Sequence, residues 1–155
     1  MWWVFFLNCY WGPNYETSLQ PISDEKLVTD GLEVSAYGRV LLIACGALAR
    51  EILALIKANI WTHMDLQCLP AIYHNEPNKI TPSVKATIEK YQPEYTDIFI
   101  VYADFGTGGQ LKRLCDDIGV SMISGPHCYS FYEANTNFQA REELTCFYLT
   151  DFLVR

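Results

Sequence analysis

The sequence lacks the features that mark nucleic-acid-binding and membrane-spanning proteins. Its 11 lysines and arginines are outnumbered by 18 aspartates and glutamates, which gives a formal net charge of -7, and they form no cluster that would neutralise phosphates. The apolar start, MWWVFFL, is too short to span a bilayer and has neither the basic flank nor the cleavage site of a signal peptide. We therefore expect neither nucleic acid nor a membrane as a partner.

The spacing of the cysteines is also not that of a disulfide-stabilised protein. The six cysteines lie far apart, at positions 9, 45, 68, 115, 128 and 146, and no CxxC pair occurs. This usage favours a reducing, cytoplasmic setting. The 155 residues, of which 50% are hydrophobic and 14% aromatic, are enough for one globular domain with a real core.

From Arg39 onward, short apolar runs alternate with amphipathic stretches, a pattern typical of βα units. It predicts an α/β fold: an open, mainly parallel sheet of about five strands with helices on both faces, which is a Rossmann-like three-layer arrangement. The predicted strands occupy residues 40–44, 64–69, 97–103, 120–124 and 145–149. Residues 1–38 show no clear period and are set apart as an N-terminal arm of unclear structure, so that 39–155 form the domain.

Predicted helices follow the strands at 47–59, from Thr81, at 109–119 and at 130–143, with Thr81 and Pro82 as N-cap and first helical residue. Gly119 is the predicted stop of the third helix. Apolar residues recur at helical spacing in three of these helices. They are Leu48, Ile52, Leu55 and Ile56; Val84, Ile88 and Tyr91; and Leu111, Leu114, Cys115 and Ile118.

The C-terminal residues predict an incomplete domain. Thr150 and Asp151 are typical of a helix N-cap, yet only four residues follow them, too few for a stable helix. A domain that lacks its last elements exposes apolar surface. Such a surface would lead either to a homo-oligomer or to aggregation, and the sequence does not decide between them.

In an open parallel sheet, ligands bind outside the carboxyl ends of the strands. We therefore expect the polar and thiol groups that follow the predicted strands to meet on one edge and bind a small molecule or a metal. These groups are Cys45 and Gly46; His74; Asp104 with Gly106, Thr107, Gly108 and Gly109; and His127 with Cys128.

Cys45, Asp104 and Cys128 are the candidate catalytic residues. Cys45 lies between a strand and a helix N-terminus, where the helix dipole and free N–H groups lower the pKa of a thiol. The alternative is a small residue that only fills the core. Asp104 either orients a histidine, acts as an acid or base, or caps the turn that follows it.

Cys45, His74, His127 and Cys128 together provide the nitrogen and sulfur ligands that zinc or another late transition metal prefers. Their spacing is not that of a zinc finger. His74 has the alternative of being a solvated loop residue. A metal therefore stays one hypothesis among several for this edge.

The stretch YADFGTGG (102–109) puts three glycines between a strand and a helix. Consecutive N–H groups in such a turn bind anions, so Gly106, Thr107, Gly108 and Gly109 are candidate binding residues. The spacing is neither GxGxxG nor GxxxxGK[ST], so no dinucleotide or nucleoside triphosphate fingerprint is present. Alternatively, the glycines supply positive φ angles and let the helix approach the sheet closely.

Five segments in order, LIACGALAREILAL, LPAIYHNEPNKI, YADFGTGGQL, GPHCY and FYLTDFLVR, resemble the DUF1638 family, an uncharacterised family of bacterial and archaeal proteins. The resemblance covers roughly residues 39–155. It implies a site at Cys45, His74, Asp104, His127 and Cys128. It also implies, by genomic association, a link to corrinoid-dependent methyl transfer and hence a corrinoid as a candidate cofactor.

Two residues depart from the family pattern, which typically reads DCGTGG and HNRP. Phe105 replaces the cysteine of the first motif, and Glu76 replaces the arginine of the second. The first change removes a thiol and the second reverses a charge. The resemblance therefore implies a site that is altered or incomplete.

These observations lead to one expectation with two alternatives. We expect a small-ligand or metal site at the strand ends, in a protein accessory to corrinoid-dependent methyl transfer. The alternatives are a thiol-dependent enzyme that uses Cys45 or Cys128 and a non-catalytic protein that binds an anion. Whether the protein is an enzyme stays open.

Overall fold

A computed structural model describes residues 23–34, 39–104, 106–125, 127–128 and 130–133, and these form an α/β structure around one five-stranded sheet. The strands are β1 (Leu32–Val34), β2 (Val40–Cys45), β3 (Met64–Leu69), β4 (Asp97–Val101) and β5 (Ser121–Met122). The helices are α1 (Asp24–Thr29), α2 (Ala49–Ala58), α3 (Ile80–Tyr91), α4 (Gln110–Ile118) and α5 (Ser130–Glu133). Short 3₁₀ turns occupy Gly46–Leu48, Ala71–His74 and Pro77–Lys79.

The strands lie in the order β1-β3-β2-β4-β5. β2 pairs in parallel with β3 on one side and β4 on the other, and β4 pairs in parallel with β5. Among the strands of the described residues, only β1 is antiparallel, against β3. The predicted α/β sheet of about five mainly parallel strands is confirmed, and β2 and β4 lie at its centre.

The strand β1 comes from residues that the sequence analysis set apart as an arm. Leu32 pairs with Cys68, and the preceding helix α1 buries Leu27. Asp24 in α1 forms an ion pair with Arg50 of α2 at 2.5 Å. A three-residue strand and a six-residue helix are too short to show a hydrophobic period, so neither element is recognisable from the sequence pattern.

Most predicted elements are present, with shifted ends. β4 stops at Val101, and β5 is only two residues long. α3 begins at Ile80, after the turn Pro77–Lys79, so the predicted N-cap at Thr81 is wrong; Pro82 is tolerated because first-turn N–H groups have no partner within the helix. The predicted strand at 145–149 and the end of the predicted helix 130–143 lie outside the described residues.

The sheet is buried on both faces of β2. Leu42 and Ala44 belong to one cluster of buried side chains, whereas Leu41, Ile43 and Cys45 belong to another. Successive strand residues point to opposite faces, so each cluster lies on its own face of the sheet. This double burial explains why the run VLLIA is apolar at every position.

The apolar residues that recur at helical spacing pack into these two clusters, with two exceptions. Ile52 and Ile56 of α2 pack in the first cluster, and α3 and α4 contribute to the second through residues such as Val84 and Leu111. Leu55 and Ile118, which we predicted to face the core, are 56% and 41% exposed. Gly119 ends α4 with a φ of 71°, as predicted. None of the helices in the described ranges is long and apolar enough to cross a membrane.

Neighbouring residues of α2 test this burial. Ile56 is 2% exposed, so Ile56→Ala should lower the free energy of unfolding by about 2 to 4 kcal/mol through lost burial and a cavity. Leu55→Ala, the control, should change it by less than about 0.5 kcal/mol. Urea denaturation of both variants measures the difference. Equal losses would contradict the placement of the helix.

Candidate functional site

The carboxyl ends of β2 and β4 meet at the centre of the sheet. β2 ends at Cys45, and the chain continues from β4 through Tyr102, Ala103 and Asp104. From β2 the chain proceeds to β3, and from β4 it proceeds to β5 on the opposite side. In open α/β sheets such a reversal leaves a crevice at the strand ends.

A pocket of about 120 Å³ lies at this position. Its walls come from the turns after β3 and β4 and from the segment before α5. The lining residues are His74, Pro77, Ile80, Tyr102, Ala103, Gly106, His127 and Cys128. Four of the residues predicted from the sequence therefore converge on one pocket, namely His74, Gly106, His127 and Cys128.

Cys45 lies outside the pocket wall and contacts His74. Its Sγ is 3.3 Å from Nδ1 of His74, and it accepts a hydrogen bond from the N–H of Ala47 at 3.4 Å. The same Nδ1 lies 3.3 Å from the carbonyl oxygen of Ala71. Cys45 is 1% exposed, whereas His74 is exposed as a whole. The two residues form a contact that joins the end of β2 to the turn after β3.

Of the two alternatives for Cys45, the structure supports the small residue that fills the core and not the thiol with a lowered pKa. Burial raises the pKa of Cys45 to about 12, and the neighbouring Cys128 thiol acts in the same direction, although the Ala47 N–H and the Tyr102 hydroxyl act in the opposite direction. Removal from water disfavours the charged thiolate more than one helix-terminal N–H group favours it. Cys45 is therefore a neutral thiol at ordinary pH.

Two further titratable groups of the pocket, Cys128 and His127, are also held in their neutral forms. Burial raises the pKa of the Cys128 thiol, although the backbone at Ala103 partly opposes it. Burial lowers the pKa of His127, and the nearby His74 side chain lowers it further. Because burial dominates in both cases, the pocket wall is uncharged at neutral pH on the side of α5.

Tyr102 is a buried polar residue that the sequence analysis overlooked. It is 2% exposed, and burial raises its pKa well above the ordinary value. Within the described part of the chain, its hydroxyl meets no partner at hydrogen-bond geometry, although Cys45 is close enough to influence its pKa. A buried hydroxyl of this kind usually finds a partner. Its position near the carboxyl end of the predicted strand 97–103, beside the edge where ligands bind, was the signal that could have revealed it.

Asp104 caps α4. Its carboxylate accepts a hydrogen bond from the hydroxyl of Thr107 and another from the N–H of Lys112 at 3.3 Å. Lys112 is the third residue of α4, and the N-cap residue, Gly109, has no side chain to serve it. The described contacts of Asp104 thus match the capping alternative.

The glycine turn has a clear structural reason. Gly106, Gly108 and Gly109 all have positive φ, and a Cβ on Gly106 would lie 3.0 Å from the Cβ of Pro77. Two N–H groups at this turn, those of Thr107 and Gln110, donate to backbone carbonyls within it. Arg113 also reaches back to the carbonyl of Gly108 at 3.2 Å. Of the four candidate anion-binding residues, only Gly106 lines the pocket.

Gly46, the fifth candidate binding residue, is in close contact with neighbouring backbone. A Cβ at this position would lie 2.5 Å from the carbonyl oxygen of Leu27 and 3.0 Å from that of Leu69. Any side chain would push α1 or the end of β3 away. The described contacts of Gly46 are therefore those of packing.

The predicted metal ligands do not assemble into a metal-binding group. Across the described ranges, no three His, Cys, Asp or Glu side chains are arranged to hold a metal ion. His74, His127 and Cys128 share the pocket, but Cys45 lies behind His74. Glu76, which replaces the family's arginine, forms an ion pair with Lys79. Phe105 lies outside the described residues.

Comparison with known proteins identifies a family. A family model described as "Protein of unknown function (DUF1638)" matches residues 68–155, which is more than half of the chain. The match includes the segments that carry His74, the glycine turn, His127 and Cys128, whereas Cys45 lies before it. No curated protein and no solved structure matches the chain significantly.

The capping role of Asp104 is directly testable. Asp104→Ala should lower the free energy of unfolding by about 1 to 2 kcal/mol, because the first turn of α4 loses its acceptor. Asp117→Ala, an exposed acid in the last turn of the same helix, is the control and should change it by less than about 0.5 kcal/mol. Urea denaturation measures both. An unchanged stability in Asp104→Ala would refute the cap.

The raised pKa of Cys45 predicts slow alkylation. With a pKa of about 12, only about one Cys45 thiol in ten thousand is ionised at pH 8. Iodoacetamide labelling followed by peptide mass spectrometry should show Cys45 reacting at least about a hundred times more slowly in the folded protein than in urea. A labelling midpoint at or below pH 8.5 would contradict this.

The same shift fixes the direction of the pH dependence of stability. Because the folded pKa lies above the ordinary 9.0, the contribution of this thiol is complete below pH 9 and is lost as the pH rises toward 12. Alkaline unfolding curves should therefore be less steep in Cys45→Ala than in the parent chain.

Proposed function

We propose that this chain, which belongs to the DUF1638 family, binds a small ligand in the pocket at the carboxyl ends of β2 and β4. The observation that carries the proposal is the convergence of His74, Gly106, His127 and Cys128 on one concave wall from distant parts of the sequence. Apolar walls with a few polar groups are typical of ligand pockets. Ligand binding, and not catalysis, is the function that these contacts support best.

The size of the pocket limits the ligand. About 120 Å³ is well below the roughly 300 to 1,000 Å³ of pockets that enclose drug-sized molecules. A corrinoid is larger than a drug-sized molecule, so the described walls of this pocket do not enclose one. An accessory role in corrinoid-dependent methyl transfer, which the family resemblance suggests, would therefore involve a small compound handled beside that chemistry.

A resident zinc ion is a weaker form of the same proposal. The donor types are suitable, since imidazole nitrogen and thiol sulfur are zinc ligands. However, no suitable group of three ligands exists in the part of the chain that the structure describes, and burial raises the pKa of Cys128. A neutral thiol must lose its proton before it binds zinc, so we do not assign a metal.

A thiol-dependent enzyme is the second candidate. The observation in its favour is the 3.3 Å contact between Cys45 Sγ and His74 Nδ1, since a histidine beside a thiol is the usual arrangement of a cysteine nucleophile. Two facts oppose it. Cys45 is 1% exposed, and its pKa is about 12. A substrate would have to reach a buried and neutral sulfur.

We also propose a finer fold class and a cellular location for the protein. The packing of α2 in one cluster and of α3 and α4 in the other supports a doubly wound, Rossmann-like three-layer arrangement. The four cysteines within the described ranges are free thiols, which supports a reducing, cytoplasmic setting.

A fragment screen tests the ligand proposal. Small polar and apolar compounds would be added to ¹⁵N-labelled protein, and the amide signals of Ala103 and Gly106 would be followed by NMR. We expect at least one compound to shift both signals, and His127→Ala to weaken its binding by about tenfold, because the variant loses half-buried pocket wall.

His63→Ala is the matched control. His63 is exposed and lies before β3, at the opposite edge of the sheet, where its carbonyl accepts from the N–H groups of Arg39 and Val40. Its replacement should leave ligand affinity unchanged. If no compound shifts the pocket signals, or if both variants bind equally well, the proposal is wrong.

A further inference from the structure

The wall of the pocket can acquire a positive charge near neutral pH but not a negative one. In the described part of the chain, its lining residues include two histidines, His74 and His127, and no aspartate, glutamate, lysine or arginine. An imidazole ring is either neutral or a cation. The other titratable groups of the wall are Cys128 and Tyr102, and burial raises the pKa of both, so neither is an anion at neutral pH.

The two histidines lie close enough to influence each other. His74 ends the turn after β3, and His127 lies shortly before α5. The nearby His74 side chain lowers the pKa of His127, in addition to the larger effect of burial. Both effects disfavour the cationic form of His127. A negative charge beside the two histidines would act in the opposite direction, because an opposite charge within about 4 to 6 Å favours the charged form.

The acids beside the wall in the sequence are Asp104 and Glu76, and both have partners outside the pocket. The carboxylate of Asp104 caps α4, and Glu76 forms an ion pair with Lys79. Neither acid lines the pocket. Cys45, whose Sγ lies 3.3 Å from Nδ1 of His74, is a neutral thiol because burial raises its pKa to about 12. These groups therefore leave the wall suited to a ligand that carries the negative charge itself.

We propose that the pocket binds a small carboxylate beside His74 and His127, and that one proton from the solvent moves onto the imidazole of His127 when the anion enters. The charges then balance, since one carboxylate meets one imidazolium. This inference names the class of ligand and so rests on the proposed function.

The remaining wall favours a carboxylate over a phosphate. Pro77, Ile80 and Ala103 offer apolar surface to a short alkyl group, and the volume of about 120 Å³ suits a molecule of a few atoms. Arginine and lysine, the usual partners of phosphate, do not occur among the described lining residues.

Acetate and acetamide are probes of equal size, of which only acetate is charged. Their dissociation constants are measured at pH 6 and pH 8 from the amide signals of Ala103 and Gly106, with EDTA present so that a contaminating metal ion does not bind the carboxylate. Acetate is ionised at both pH values. We expect it to bind about tenfold more tightly at pH 6, because a nearby opposite charge raises the pKa of an imidazole by about two units. Acetamide should bind almost equally at both.

His127→Phe keeps a ring of similar size and removes the titratable group, so acetate binding should lose its pH dependence. His63→Phe, at the opposite edge of the sheet, is the control and should retain it. A second measurement needs no variant. The ring signals of His127 in the parent chain should titrate with a midpoint below 6.5, and saturating acetate should raise that midpoint, whereas acetamide should not.

Equal affinity for acetate at the two pH values, or an unchanged midpoint of His127 with acetate bound, would overturn the proposal. So would a pH dependence that persists in a folded His127→Phe variant. Acetamide that binds as tightly as acetate at pH 6 would contradict the carboxylate class and leave the pocket itself supported. If neither probe binds at pH 6, the class is wrong, and the fragment screen decides separately whether the pocket binds a ligand.

Discussion

The double burial of β2 is the constraint on which the remaining structure depends. This strand forms hydrogen bonds to β3 and β4 along both edges, and both of its faces are covered by side chains of separate clusters. A strand in this position has no tolerance for polar residues, and its end is fixed in three dimensions. Cys45, at the end of this strand, is therefore buried away from water, and the neighbouring groups pack around it.

That constraint separates what the sequence could predict from what it could not. The alternation of apolar runs and amphipathic stretches was sufficient for the parallel sheet, because each run is long enough to show its period. It was also sufficient to bring His74, His127 and Cys128 to one edge, because the carboxyl ends of parallel strands share that edge. The side-chain contacts of these residues could not be predicted from the sequence. Whether Asp104 faces a histidine or Thr107 depends on side-chain packing that no periodicity encodes.

The pKa of Cys45 shows the same limit in energetic terms. Its place before a helix correctly indicated an N–H donor, and the structure has that donor at Ala47. The expectation failed because the cost of removing a thiolate from water exceeds the gain from one hydrogen bond. Burial is a property of the whole fold, and a local motif does not reveal it. A thiol that follows a continuous apolar strand should accordingly be treated first as a buried group.

The contact between Gly46 and the carbonyl oxygen of Leu27 has a consequence for the extent of the domain. Gly46 directly follows Cys45, so the helix α1 lies against the end of the strand that carries the thiol. The family match begins at residue 68, and the recognisable motifs begin only near residue 39. Boundaries drawn from sequence similarity would therefore remove a helix whose backbone contacts the residue next to the thiol. In a shortened chain beginning at Arg39, the face of Gly46 that α1 covers would be exposed to water. The contact between Cys45 and His74 would then lose the packing of α1 beside the end of β2.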